Sequence, residues 1–112
     1  NSILLAGGET TVHVAKNGGA GGRNQELVLS AILDLPKEVT ICSFDSDGWD
    51  NTENAGAIGD YLTVEHAKNA GINPQGYLNT DSSLDFFNQT GDAIKTGRLP
   101  SNVSDLMIVI RK

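Results

Sequence analysis

Strand-patterned and helix-patterned segments alternate along this chain, which restricts it to an α/β architecture with helices layered on a sheet. Ile3-Leu4-Leu5-Ala6 is a short apolar run closed by Gly7-Gly8. Glu9 to Ala15 alternates, with Val12 and Val14 on one face and Thr11 and His13 on the other, which predicts a strand. Leu27, Val28, Ala31, Ile32 and Leu35 recur at helical spacing, Gln25, Glu26, Ser30 and Asp34 lie elsewhere around the helix, and Pro36 marks its end. Val39 to Phe44 is continuous enough for a buried central strand. Residues 55–62 fit either a short strand at Ala57-Ile58 or the start of a helix. Val64 to Ala70 reads as a helix closed by Gly71, and 73–76 as a turn. Asp81 to Asp85 opens another helix, with Ser82 and Asp85 resembling a capping box. Phe87, Gly91 and Ile94 share one face of it, and Gly97 ends it. Asp105 to Ile110 is the last strand. The expected fold is a mixed β-sheet packed with α-helices in a single domain.

Length and charge set the limits. The chain has 112 residues, one domain on a prior of about 100–200 residues each. Apolar residues make up 38% and aromatics 5%, so the core is expected to be mostly aliphatic. Fourteen acidic against eight basic residues, net −6, exclude a nucleic-acid backbone partner and a polybasic membrane contact. The longest apolar run, Leu106 to Ile110, is far short of the roughly 20 residues that span a bilayer. A single cysteine excludes an internal disulfide framework and fits a reducing, cytoplasmic setting. Cys42 reads as a small buried hydrophobe. A start at Asn1, running at once into apolar residues, reads as a piece of something longer.

Two loops carry the unusual chemistry. Gly18-Gly19-Ala20-Gly21-Gly22 has four glycines in five positions and leads through Arg23 and Asn24 into a helix. Free backbone N–H groups and the helix dipole make an anion site at such a place. Arg23 adds a forked cation suited to phosphate or carboxylate. The bland alternative is a flexible loop with a solvated Arg. G-x-G-x-x-G fails because Asn24 stands at its last glycine, and the Walker pattern is absent. The second loop holds Asp45, Asp47, Asp50 and Glu53. Carboxylates this dense could hold Mg²⁺ beside a phosphate. An EF-hand is excluded, with Asp50 at position six and Gly56 at position twelve. Equally, Asp47-Gly48 could be a plain turn, and Asp50 or Asp60 a helix-capping residue. Trp49 is a packing plug or a ligand-facing wall. Asn79 to Ser82 reads as an N-cap cluster, 96–98 as a second small anion loop, and His66 as surface. His13, with no second His nearby, is not a metal ligand.

These segments, in this order, resemble the MOFRL family. Gly7-Gly8-Glu9-Thr10-Thr11-Val12 and Gly21-Gly22-Arg23-Asn24-Gln25-Glu26 match its most specific motifs. Asp47-Gly48-Trp49-Asp50 with Asn54-Ala55-Gly56-Ala57, Asp81-Ser82 with Phe86-Phe87, and Thr96-Gly97 with Asn102-Val103 and Asp105-Leu106 continue the match along nearly the whole chain. The resemblance implies the carboxy-terminal domain, here residues 1–112, of a two-domain glycerate 2-kinase, a family long labelled hydroxypyruvate reductases. It implies ATP- and Mg²⁺-dependent phosphorylation of D-glycerate to 2-phosphoglycerate in a cleft against an amino-terminal domain, a partner that lies outside this sequence and carries a catalytic lysine. It assigns Arg23, Asp47 and Asp50 to catalysis, and the two Asp residues also to metal. Thr10, Thr11, Gly21, Gly22, Asn24, Gln25 and Glu26 are assigned to substrate or nucleotide binding. By this reading the isolated domain is inactive, and a homodimer is compatible with it. Asn51 and Thr52 replace the family's Gly-Pro, Asn54 replaces an Asp, and the loop through Arg98 differs. Those departures keep a non-catalytic ligand-binding or interaction module open as the alternative. A nicotinamide-dependent reductase is weaker, since no dinucleotide fingerprint occurs.

Overall fold

The computed structural model describes residues 2–8, 20–100 and 105–112. Its elements are β1 (Ser2–Gly8), α1 (Arg23–Ile32), β2 (Val39–Asp45), β3 (Gly56–Gly59), α2 (Tyr61–Asn69), α3 (Pro74–Asn79), α4 (Ser83–Thr90), β4 (Ala93–Ile94) and β5 (Asp105–Arg111). The expected strand at 9–15, with His13, lies outside the described residues.

One five-stranded sheet runs in the order β1-β5-β2-β3-β4. Every ladder among the described residues is antiparallel. The helices pack on one face, α1 against β2 and β3. The alternation of side chains then sorts each strand. Val39, Ile41 and Ser43 of β2 point into the helix layer and are buried, while Thr40, Cys42 and Phe44 point away and are half-buried. Cys42 is therefore not fully enclosed, although its burial pushes the thiol pKa up.

Val28, Leu29 and Ile32 from α1 meet Ile41, Ala57, Ala67, Phe86 and Phe87 in a single core. Phe86 and Phe87 cross edge to face at 5.0 Å, and Tyr77 meets Phe86 likewise at 5.8 Å. Such pairs add directional attraction to their burial. A Cβ on Gly59 would lie 2.5 Å from Ile32 Cγ2 and 2.7 Å from Val28 Cγ1. The bare backbone there lets α1 sit directly on β3.

Some boundaries settle a reading the sequence left open, and others differ from the expectation. The stretch at 56–59 is a strand, and Asp60 caps the helix after it by accepting from the Leu62 and Thr63 amides. Thr63 Oγ1 accepts from the Asp60 amide in return, so the reciprocal box forms here. The expected box at Ser82 and Asp85 does not form: Ser82 stands at the N-cap with no side-chain cap bond, and its hydroxyl pairs with Thr80. The expected turn at 73–76 is the start of α3, with Asn73 as its cap and Pro74 in its first turn, where a missing N–H costs nothing. The last helix stops at Thr90, because Gly91 takes a left-handed φ of 81°, and Ala93-Ile94 joins the sheet. His66 lies on the surface, with Nδ1 3.0 Å from Asp92 Oδ2.

Candidate functional site

The site lies where the carboxyl ends of β1 and β2 meet the amino end of β5 and the first turn of α1. Register places Asp45 directly opposite Asp105, and Asp105 opposite Gly8. Two carboxylates facing each other across a ladder repel, so the pair needs a cation. Arg23 supplies it. Its Nε and Nη2 donate to the two oxygens of Asp105, the latter at 3.1 Å, and Nη2 also donates to Asp45 Oδ2 at 3.2 Å. A planar fork against a carboxylate is the strongest form of this bond. It fixes the guanidinium while a quarter of the side chain stays exposed.

The first turn of α1 follows the plainer sequence reading of Asp50, a helix cap, and not an open anion site. An anion does occupy the seat at the helix N-terminus, and it is Asp50. Its Oδ1 accepts from the Asn24 amide and Nδ2, both at 3.1 Å, and its Oδ2 from the Gln25 amide at 2.9 Å and Nε2 at 3.1 Å. Asp50 is 1% exposed. A carboxylate from a loop some 25 residues away thus caps the helix and answers its dipole. Those two amides and all four Asp50 bonds are consumed inside the protein.

Asn24 and Gln25 are equally enclosed. Asn24 Nδ2 also reaches Asp105 Oδ1 at 3.0 Å, and its Oδ1 accepts from the Ser43 hydroxyl at 2.6 Å. Gln25 donates to Thr52 Oγ1 at 3.1 Å and accepts from Asn54 Nδ2 at 3.0 Å. Asn54 extends the chain to Asn88 at 3.1 Å. The network ties α1 to β2, β5 and the acidic loop, and holds Arg23 one residue before it. Glycines make room for it. A Cβ on Gly22 would lie 1.9 Å from Asp50 O and 2.2 Å from its Cγ, and one on Gly21 2.0 Å from Ser83 Oγ. Gly22→Ala is expected to unseat Asp50 and cost about 3 kcal/mol, the upper end for overpacking. Native-state hydrogen exchange at the Asn24 and Gln25 amides measures it.

Asp47 stays at the mouth. Its Oδ1 accepts from the Trp49 amide at 2.9 Å. That bond, then Asp45, Arg98 and Arg23, holds its pKa below the usual carboxylate value. Asp45 is pushed the other way, by burial first and then by the charges of Asp47 and Asp105. Arg98 stacks over Trp49 at 4.4 Å, so Trp49 is a half-exposed wall and not an interior plug. The 96–98 loop leans on the acidic loop, with Leu99 N donating to Asp47 O at 2.7 Å.

Glu26 is buried, and neither its Oε1 nor Ser83 Oγ has a hydrogen-bond partner. Burial pushes the Glu26 carboxyl up, Ser83 opposes, and the charges of Asp81 and Asp50 add to the rise. Its folded pKa exceeds the ordinary 4.5, so the native chain holds this proton longer than the unfolded one. Stability therefore declines as pH rises from that value through the raised one, and this contribution is flat beyond. Glu26→Gln is expected to flatten the decline in a pH series of unfolding midpoints and to be no less stable at pH 7.

Thr10 and Thr11 lie outside the described residues. Asp105, Asp45 and Ser43 complete the site. Asp45 stood out only as part of an acidic run, and Asp105 as the start of the last strand and a match to the closing family motif, without a role assigned to it. Among the described residues no group of three or more His, Cys, Asp or Glu is arranged to hold a metal ion.

Known proteins share this fold and a substantial part of its sequence. A D-glycerate 2-kinase of Thermotoga maritima is 44% identical over 110 residues, covering 96% of this chain and 26% of that protein. A glycerate 2-kinase of Pyrococcus horikoshii is 39% identical over 112 residues, covering 96% and 25%. The crystal structure of a Thermotoga maritima glycerate kinase superposes with a TM-score of 0.91 at 40% identity, covering 99% of this chain and 27% of that one. A Pyrococcus horikoshii structure gives 0.90 at 37% identity. The chain thus spans about a quarter of the length of the relatives it matches. The family model called MOFRL matches residues 2–105, and with that match the chain belongs to the MOFRL family.

Proposed function

We propose that this chain is the carboxy-terminal domain of a longer two-domain glycerate 2-kinase, contributing to ATP- and Mg²⁺-dependent phosphorylation of D-glycerate at a cleft with its other domain. The observation that carries the reading is Arg23, clamped by Asp105 and Asp45 beside the α1 N-terminus. A guanidinium held in place before substrate arrives needs no reorganisation when charge develops on a transferring phosphoryl group. The acidic ring around it fixes its direction and leaves the side chain partly exposed.

The donor set divides the two sequence candidates for the metal. Asp50 does not fit, because four N–H donors already occupy its oxygens. Asp47 fits as a single carboxylate of low pKa at the mouth, and Mg²⁺ takes one or two carboxylates with its remaining sites on water and phosphate. When bound, Mg²⁺ neutralises phosphate charge. Asp47 would hold the metal or orient substrate, and Asp45 keeps Arg23 in place beside it. Asn24, Gln25, Gly22 and Asp50 act as positioning groups that set Arg23. Gly21 and Glu26 border the same turn. The single cysteine supports a cytoplasmic setting. Among the described residues no helix is long and apolar enough to cross a membrane.

The filled anion seat at α1 favours a second reading, a non-catalytic module on the same scaffold. A coupled assay on the full-length parent with ATP, Mg²⁺ and D-glycerate separates the two. ADP release that depends on glycerate supports the kinase. A folded parent that binds no nucleotide and releases no ADP supports the module.

A further inference from the structure

The face of the sheet turned away from the helices is apolar, and among the described residues no helix packs on it. Register places Ile3 beside Ile110, Leu5 beside Ile108, and Cys42 between Ile108 and Ile58, with Phe44 beside Leu106. Ile3 is 75% exposed, Leu5 66%, Ile58 41% and Ile110 39%. None of the described strand residues on this face is charged, in a chain whose net charge is −6. An antiparallel sheet with one wet face alternates apolar and polar residues. β5 instead reads Leu-Met-Ile-Val-Ile without a break, and β1 Ile-Leu-Leu-Ala, which is the pattern of strands buried on both faces. β1 is also an edge strand in the described sheet, and a long apolar edge left open invites pairing with other chains.

We propose that this outer face is an intrachain interface, covered by apolar surface from the part of the longer parent chain that lies outside residues 1–112. The proposal rests on the reading of this chain as a portion of a longer protein. The Thermotoga maritima structure holds this same fold as 27% of a single chain, so in such a protein the remaining polypeptide is tethered to the sheet. Tethering gives it an effective concentration in the millimolar range, which a second copy must exceed to compete. The face is distinct from the Arg23 site: Asp45, Asp105 and Ser43 project to the helix side, while Leu106, Ile108 and Phe44 project to the other.

The test is photo-cross-linking in the full-length parent, with Ile3→p-benzoylphenylalanine and Ile58→p-benzoylphenylalanine made separately at two exposed ends of the face. The expected product is a cross-link within one chain, mapped by mass spectrometry to a peptide outside residues 1–112. A cross-linked dimer would overturn the proposal in favour of a second copy. Attachment to residues 9–19 or 101–104 would overturn it in favour of the segment covering itself. Cys42 in the unmodified parent provides a check that needs no variant. Its alkylation is expected to be about a hundredfold slower than in the urea-unfolded chain, as for a group exposed only by rare opening; a rate near the unfolded one would overturn the proposal. Neither readout uses turnover, so failure of the kinase reading would show in the assay and leave both unchanged.

Discussion

Arg23→Ala in the full-length parent is expected to lower kcat about a thousandfold, the low end of what a phosphoryl-stabilising arginine contributes. The fork on Asp105 and the third bond to Asp45 hold the cation in advance of substrate, so its loss falls on the transition state more than on binding. KM should therefore move much less than kcat. Arg23→Lys keeps the charge and loses the fork, and an intermediate rate is expected. The stability effect is separate and depends on pH. Without Arg23, Asp45 and Asp105 face each other uncompensated across the ladder, and the Asp45 carboxyl, already pushed up by burial, is pushed up further. Protonation relieves the repulsion, so the variant should lose stability at pH 7 and recover part of it toward pH 4. Wild-type kcat in a folded Arg23→Ala parent would remove Arg23 from the chemistry.

The second large effect belongs to Asp50 and is structural. Asp50→Asn preserves volume but turns an NH₂ toward donors. Four N–H groups converge on the carboxylate, and an amide oxygen can serve only one pair of them. The stranded amides lie in a fully buried network that includes Asn24, Gln25 and Asn54. Leaving such groups unpaired costs about 1–3 kcal/mol each where no water reaches them. A total near 3 kcal/mol is expected, concentrated at the start of α1. Hydrogen exchange should show the Asn24 and Gln25 amides losing protection while the core residues Phe86 and Phe87 keep theirs. Activity should fall as well, because Arg23 opens the same helix. Uniform loss of protection across the domain would contradict a local capping role.

The difference between those two predictions shows where the sequence stops being informative. Local patterns were legible. The spacing of Val28 and Ile32 gives α1 its buried stripe, and the β-branched run at 39–41 gives β2. Hydrophobic periodicity also misleads where backbone geometry overrides it. Phe87, Gly91 and Ile94 share a helical face on paper, yet Gly91 in the left-handed region ends the helix and sends Ile94 into the sheet. Asn24 and Gln25 are polar and would be placed outward by patterning. They turn inward because Asp50, distant in sequence, offers their backbone and side chains acceptors at once. The sequence resemblance brought Arg23, Asp47 and Asp50 together as one set. The structure separates them by what their polar atoms already touch: a clamp, a mouth and a cap.

The most direct test of the account is ³¹P NMR of the full-length parent turning over ATP and Mg²⁺ with D-glycerate. The account predicts a new phosphomonoester resonance, that of 2-phosphoglycerate, which requires D-glycerate and is lost in Arg23→Ala. A folded parent that binds ATP and produces no such resonance with D-glycerate would contradict it.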